Sequence, residues 1–138
     1  MRNAVLATLL ALAAAAGCTK ASNDKSETSS VPTITVDQVD QAIAAKAAQA
    51  VDANGADTRK NMGVVPGAIL LSDTKTELDP AELPADKSKE LVFYCANTHC
   101  GASHHAAEQA ITAGYIHVKV MPEGIAGWVK AGKNVQKI

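Results

Sequence analysis

The thirteen residues from Leu91 to Ser103, LVFYCANTHCGAS, constrain this chain more than any other stretch. Leu91–Tyr94 is a short apolar run with aromatic content, which predicts a strand covered on both faces, as in a parallel sheet. A loop that opens with Cys95 follows. From Ala106 the spacing becomes helical, with Ala106, Ala107, Ala110 and Ile111 expected on the inner face and Gly114 as the stop. Ser103 is expected to cap that helix. The order strand–cysteine loop–helix sets Cys95 at a strand tip, facing the amides of the loop and the helix N-terminus. Open α/β sheets bind anions and carry out chemistry at that place. The partial positive charge of a helix end also favours a thiolate over a thiol. Cys95 is therefore the expected nucleophile.

The remaining elements alternate in type. Pro32–Val36 is β-prone, Thr35 and Gln38 form a capping box, and Val36, Val39, Ile43 and Ala47 recur at helical spacing. Gln49–Ala53 reads as a strand with Asp52 near its end, and Asn54-Gly55 breaks it. Thr58–Met62 fits a helical turn. Residues Gly63–Leu71 read as a turn with another strand. Asp79-Pro80-Ala81-Glu82 has a cap, a proline at the first helical position and a glutamate at the third, which predicts a short helix closed by Pro84. His117–Met121 alternates like a strand. Pro122-Glu123-Gly124 turns into a last helix, with Ile125, Trp128 and Val129 expected inward and Gly132 as the stop. No internal repeat is visible. Strands alternating with helices give an α/β class with a mainly parallel sheet.

The first thirty residues read as address rather than fold. Arg2 precedes an apolar run, Ala4–Ala16, interrupted only by Thr8. At about 1.5 Å per residue this run spans roughly 20 Å, short of the ~30 Å hydrocarbon core, so it fits a secretory signal better than a transmembrane helix. It ends in Ala15-Ala16-Gly17-Cys18, which resembles a bacterial lipobox. That resemblance implies cleavage at residue 17 and lipidation of Cys18. With Thr19 next, it also implies sorting to the periplasmic face of the outer membrane. Residues 18–30 are small and polar and are expected to be a disordered tether, leaving 31–138 as the folded domain. Lysine and arginine number 13 against 14 acidic residues, and aromatics make up 3%. This balance excludes a nucleic-acid surface. With Cys18 lipidated, Cys95 and Cys100 are the remaining thiols, in an oxidising compartment.

From Thr35 to Val135 the chain resembles a rhodanese-like domain. The features that carry the likeness come in order: the acidic strand end Val51-Asp52, the turn Val65-Pro66-Gly67-Ala68, and the strand Val92-Phe93-Tyr94 with Cys95. Ala113-Gly114-Tyr115 and Glu123-Gly124-Ile125-Ala126-Gly127-Trp128 follow. The resemblance implies a five-stranded, mainly parallel sheet flanked by helices on both faces, and sulfane-sulfur transfer through a persulfide on Cys95. The departures lie around the site. Asn54 stands where many family members have arginine, and Val64 where they have histidine. In the cysteine loop, Thr98 and Cys100 replace a common glycine and arginine.

Sulfur transfer needs a thiolate and then donors around the persulfide. Cys95 supplies the first. The backbone of Ala96, Asn97, Thr98, His99, Cys100 and Gly101, with the Asn97 and Thr98 side chains, is expected to supply the second. Arg2 and Arg59 are the arginines of the chain, so the loop has none. This argues against a phosphatase loop that clamps a phosphoryl group with a guanidinium. It also points away from the thiosulfate dianion, toward a persulfide on a small thiol or a protein. Cys100 is open to three readings: a resolving thiol that closes a disulfide with Cys95, a small packing residue, or a soft-metal ligand with Cys95, His99, His104 and His105. His104 and His105 start the helix, where their neutral forms are favoured. His99 is better placed to influence the thiol, His117 reads as structural, and Asp52 either contacts the loop or pairs within the fold.

The reading that follows is a membrane-tethered sulfurtransferase acting on a small sulfur donor or a protein thiol, with no cofactor and no resident metal. Two alternatives stand beside it: a dithiol–disulfide redox module using Cys95 and Cys100, and a catalytically inactive domain that binds metal or a partner.

Overall fold

Leu91 and Phe93 point to one side of their strand and Val92 and Tyr94 to the other, and all four are fully buried. This two-sided burial makes the strand central. A computed structural model describes residues 30–138. The expected signal segment, Cys18 and the expected tether up to Ser29 lie outside the described residues. The strands are β1 (Ala48–Asp52), β2 (Ile69–Leu70), β3 (Glu90–Tyr94) and β4 (Val118–Val120). They form one parallel sheet in the order β2-β1-β3-β4. Asp52 of β1 lies beside Tyr94 of β3, so both strands end at the same edge.

The sheet has four strands where five were expected. The β-prone segment Pro32–Val36 contributes a single parallel bridge, Thr33 to Val120. Its ladder is limited to Ile34 N donating to the Val120 carbonyl and Val120 N donating to that of Pro32, both at 2.9 Å. Pro32 has no N–H to add, and Thr35 already turns into the next helix.

That helix, α1 (Val36–Ala44), opens with the expected capping box, Thr35 and Gln38 bonding reciprocally. With α4 (Gly124–Lys130) it covers the Val92–Tyr94 face, where Val39, Ile125 and Trp128 are buried. The opposite face, with Leu91, Phe93 and Cys95, packs against Ala106, Ala107 and Ala110 of α3 (Ala102–Thr112). A short helix α2 (Ala56–Met62) joins β1 to β2. Asp79 caps a single 3-10 turn, Pro80–Glu82, by accepting from Ala81 N at 2.9 Å. Among the described residues no helix is long and apolar enough to cross a membrane.

Two side chains expected inward are outside: Ile111 and Val129 are exposed. The buried stripe of α3 is Ser103, Ala106, Ala107 and Ala110. Ile111 lies about 90° round the helix from the centre of that stripe, and Val129 about as far from the Gly124, Ile125 and Trp128 stripe of α4. His117 precedes β4 and is exposed, bonding through its carbonyl to Leu91 N at 2.8 Å.

Candidate functional site

The cysteine loop leaves the sheet where β3 ends and is held at its start by α4. Ile125 N donates to the Cys95 carbonyl at 2.9 Å and Ala126 N to the Ala96 carbonyl at 3.0 Å. Asn97 then bends the loop. Its Oδ1 accepts from His99 N at 3.0 Å, and its carbonyl accepts from Cys100 N at 3.1 Å. The combined side-chain and backbone turn brings the Cα of Cys100 to 6.2 Å from that of Cys95, and a disulfide joins the two residues. The amides of His99 and Cys100, expected to face the sulfur, are used inside this turn. Thr98, His99 and Gly101 are exposed, while Ala96 is half-buried.

Cys95 is 2% exposed and belongs to the apolar layer under α3. Cys100 lies at the rim of that layer and is partly exposed. Two polar atoms lie against the Cys95 sulfur. The Ser103 hydroxyl donates to it at 3.3 Å, and the Cys100 carbonyl oxygen is also at 3.3 Å. Ser103 does not cap the helix as expected. Gly101 holds the cap position, and α3 begins at Ala102. Ser103 is thus the second helical residue, on the inner stripe, 1% exposed, and aimed at the sulfur. A serine three residues before paired alanines on a helix is the signal that would have placed it inward. Its hydroxyl lies against that sulfur at the first turn of an eleven-residue helix.

Asp52 pairs within the fold. Wholly buried, it accepts from Asn54 N at 2.7 Å and from Arg59 Nε at 3.0 Å. Arg59 also donates to the carbonyls of Asp52 and Leu71, at 3.0 and 2.9 Å. Tyr94 completes the group. Its hydroxyl accepts from Val65 N at 3.0 Å, and burial followed by the negative charge of Asp52 pushes its ionisation well above the usual phenol range. This network lies on the face of β1 and β3 opposite the Cys95 sulfur. It consumes the one arginine among the described residues.

The histidines and the two cysteines form no metal-holding cluster among the described residues. His105 Nε2 lies 3.4 Å from the Thr76 carbonyl, beside Gln109, which donates to the same oxygen at 3.3 Å. Cys95, His99, His104 and His105 do not converge on a metal-sized point, and among the described residues no three His, Cys, Asp or Glu side chains do so.

A rhodanese-like domain model matches residues 35–131, most of the chain. The chain belongs to the rhodanese-like domain family. Solved structures agree on the architecture. The BH2092 protein of Bacillus halodurans is 21% identical, with a TM-score of 0.66 and 77% of each chain covered. A thiosulfate sulfurtransferase of Pseudomonas aeruginosa is 24% identical with a TM-score of 0.65, over 78% of this chain and 20% of that one. A human single-domain sulfurtransferase is 21% identical with a TM-score of 0.56, over 72% of this chain and 96% of that one. No curated protein matches the sequence. These distant likenesses carry the rhodanese fold, and the chemistry of this rhodanese-like domain rests on its own loop.

Proposed function

We propose that this rhodanese-like domain is a sulfurtransferase in which Cys95 carries sulfane sulfur as a persulfide and Cys100 resolves it. The observation that carries this reading is the Cys95 sulfur at the tip of β3, with the buried Ser103 hydroxyl 3.3 Å away at the first turn of α3. In the reduced protein the Cys95 thiolate attacks the terminal sulfur of a donor persulfide, expelling the donor thiolate and leaving Cys95–S–SH. An acceptor thiolate then attacks the outer sulfur and carries it away. Without an acceptor, the Cys100 thiolate attacks the inner sulfur, expels hydrosulfide and closes the disulfide that the structure contains. The loop from Cys95 to Ser103 has no charged lysine, arginine, aspartate or glutamate. Arg59 is held by Asp52. These facts favour a persulfide on a small thiol or a protein over the thiosulfate dianion. The segment ending at Cys18 supports a lipid tether to the periplasmic face of the outer membrane.

The disulfide favours a second reading, a dithiol–disulfide redox module using the same two cysteines. One measurement separates the two. The reduced chain is mixed with glutathione persulfide and followed by intact mass and peptide mapping. Added sulfur on Cys95, longer-lived in Cys100→Ser and missing in Cys95→Ser, supports transfer. Disulfide closure with no sulfur ever found on Cys95 rejects transfer in favour of the redox module.

A further inference from the structure

The two sulfurs of the disulfide are unequally placed. Cys95 is a buried member of the apolar cluster that includes Phe93, Ala106 and Ala107, whereas Cys100 is a partly buried residue packed against that cluster, between exposed His99 and exposed Gly101. Thiol–disulfide exchange is an in-line displacement, so the attacked sulfur needs room on the side away from the leaving sulfur, and the leaving sulfur must bear charge. Cys100 is partly exposed where Cys95 is 2% exposed, so it is the sulfur nearer to solvent. Cys95 has a donor waiting, the Ser103 hydroxyl.

We propose that external thiols open the disulfide by attacking Cys100, and that the Ser103 hydroxyl receives the Cys95 thiolate that leaves. This deepens the sulfur-carrier reading and rests on Cys95 as the working sulfur. The steps balance. A thiolate RS⁻ attacks the Cys100 sulfur, the S–S electron pair departs with Cys95, and the products are R–S–S–Cys100 and Cys95–S⁻. A second thiolate attacks the R sulfur, giving R–S–S–R and a free Cys100 thiolate. Two thiols thus supply the two electrons, and Cys95 emerges as the anion that sulfur uptake needs. The Cys100 carbonyl, also 3.3 Å from the Cys95 sulfur, opposes that charge and favours S–H instead. Ser103 and the α3 terminus must outweigh it, which makes Ser103 a positioning residue with a measurable role. The reducing partner is a small or protein thiol that meets the rim formed by Asn97, Thr98, His99 and Gly101, which has no lysine, arginine, aspartate or glutamate.

The oxidised full chain is exposed to one equivalent of glutathione, quenched within the reaction with N-ethylmaleimide, and peptide-mapped. Glutathione is expected on Cys100 and maleimide on Cys95, in about tenfold excess over the reverse pattern. Glutathione on Cys95, or an even mixture, overturns the proposal. In the reduced chain, Ser103→Ala is expected to raise the pH midpoint of Cys95 alkylation by about one unit, with Ser103→Thr restoring most of it. An unchanged midpoint removes Ser103 from the proposal. The mapping of wild-type protein does not depend on that variant folding. It also involves no sulfur donor, so glutathione on Cys100 with no persulfide ever forming on Cys95 would reject the transferase reading and leave the direction of opening intact.

Discussion

Gly124 lies so close to the carbonyl of Cys95 that a Cβ on it would stand 2.5 Å from that oxygen and 2.7 Å from the carbonyl carbon of Ala96. Its φ of +61° is the left-handed conformation that glycine adopts without cost. Close approach is what lets Ile125 N and Ala126 N bond the first two carbonyls of the cysteine loop.

Gly124→Ala therefore meets both a steric and a backbone penalty. It is expected to lower stability by about 2–3 kcal/mol, read as a fall in thermal midpoint, through clash and left-handed strain together. The same displacement moves the start of the loop, so alkylation of Cys95 in the reduced chain is expected to change rate. Gly55, with nothing within 4 Å of its Cβ position and no left-handed φ, is the control, and Gly55→Ala is expected to leave both readings nearly unchanged.

Asn97 sets the distance between the two cysteines. Asn97→Ala removes the acceptor for His99 N and is expected to weaken loop closure by about 1 kcal/mol, roughly a fivefold shift of the dithiol–disulfide equilibrium toward the dithiol. Equilibration with glutathione buffers measures it. Asn97→Asp keeps an acceptor at the same place and is expected to lie close to wild type.

Much of this was legible in the sequence because it is local. The Thr35–Gln38 box and the Asp79 cap need only residues two or three apart, and β3 announces itself by continuous apolar residues. The turn of Asn97 was not legible, and the inward Ser103 was masked, since serine before a helix fits a cap as readily as a buried donor. Only the stripe shared with Ala106, Ala107 and Ala110 decides between them. The reduced fifth strand depends on a tertiary competition in which Pro32 and the α1 cap leave Thr33 one bridge. Arg59 could not be paired from spacing alone, because α2 must first fold back before its guanidinium reaches Asp52.

The Asp52–Arg59 pair is expected to matter for folding more than for chemistry. Arg59→Ala strands a wholly buried carboxylate and should cost about 3 kcal/mol in a denaturant titration. Asp52→Asn together with Arg59→Met removes both charges and is expected to recover part of that loss. Because the network lies on the opposite face from the Cys95 sulfur, sulfur loading of the variants at a temperature where they stay folded is expected to match wild type. Loss of loading in a folded Arg59 variant would place the guanidinium in the site after all.

Tyr94 gives the fold an alkaline limit. Its phenol ionises near 10.0 when free, and burial with the Asp52 charge beside it raises that value in the folded chain. Above pH 10 the unfolded chain therefore sheds a proton that the folded chain keeps, so the folded state binds more protons and stability falls as pH rises. Stability from this group is complete below the free-phenol value and declines above it by about 1.4 kcal/mol per pH unit. Tyr94→Phe abolishes that slope, and it also strips Val65 N of its acceptor, lowering stability at neutral pH by about 2 kcal/mol. The two effects separate in denaturant titrations at neutral and alkaline pH: the variant starts lower and declines less. An equal alkaline slope in both chains would mean that Tyr94 ionises within the fold, and that the hydroxyl is not held between Asp52 and Val65.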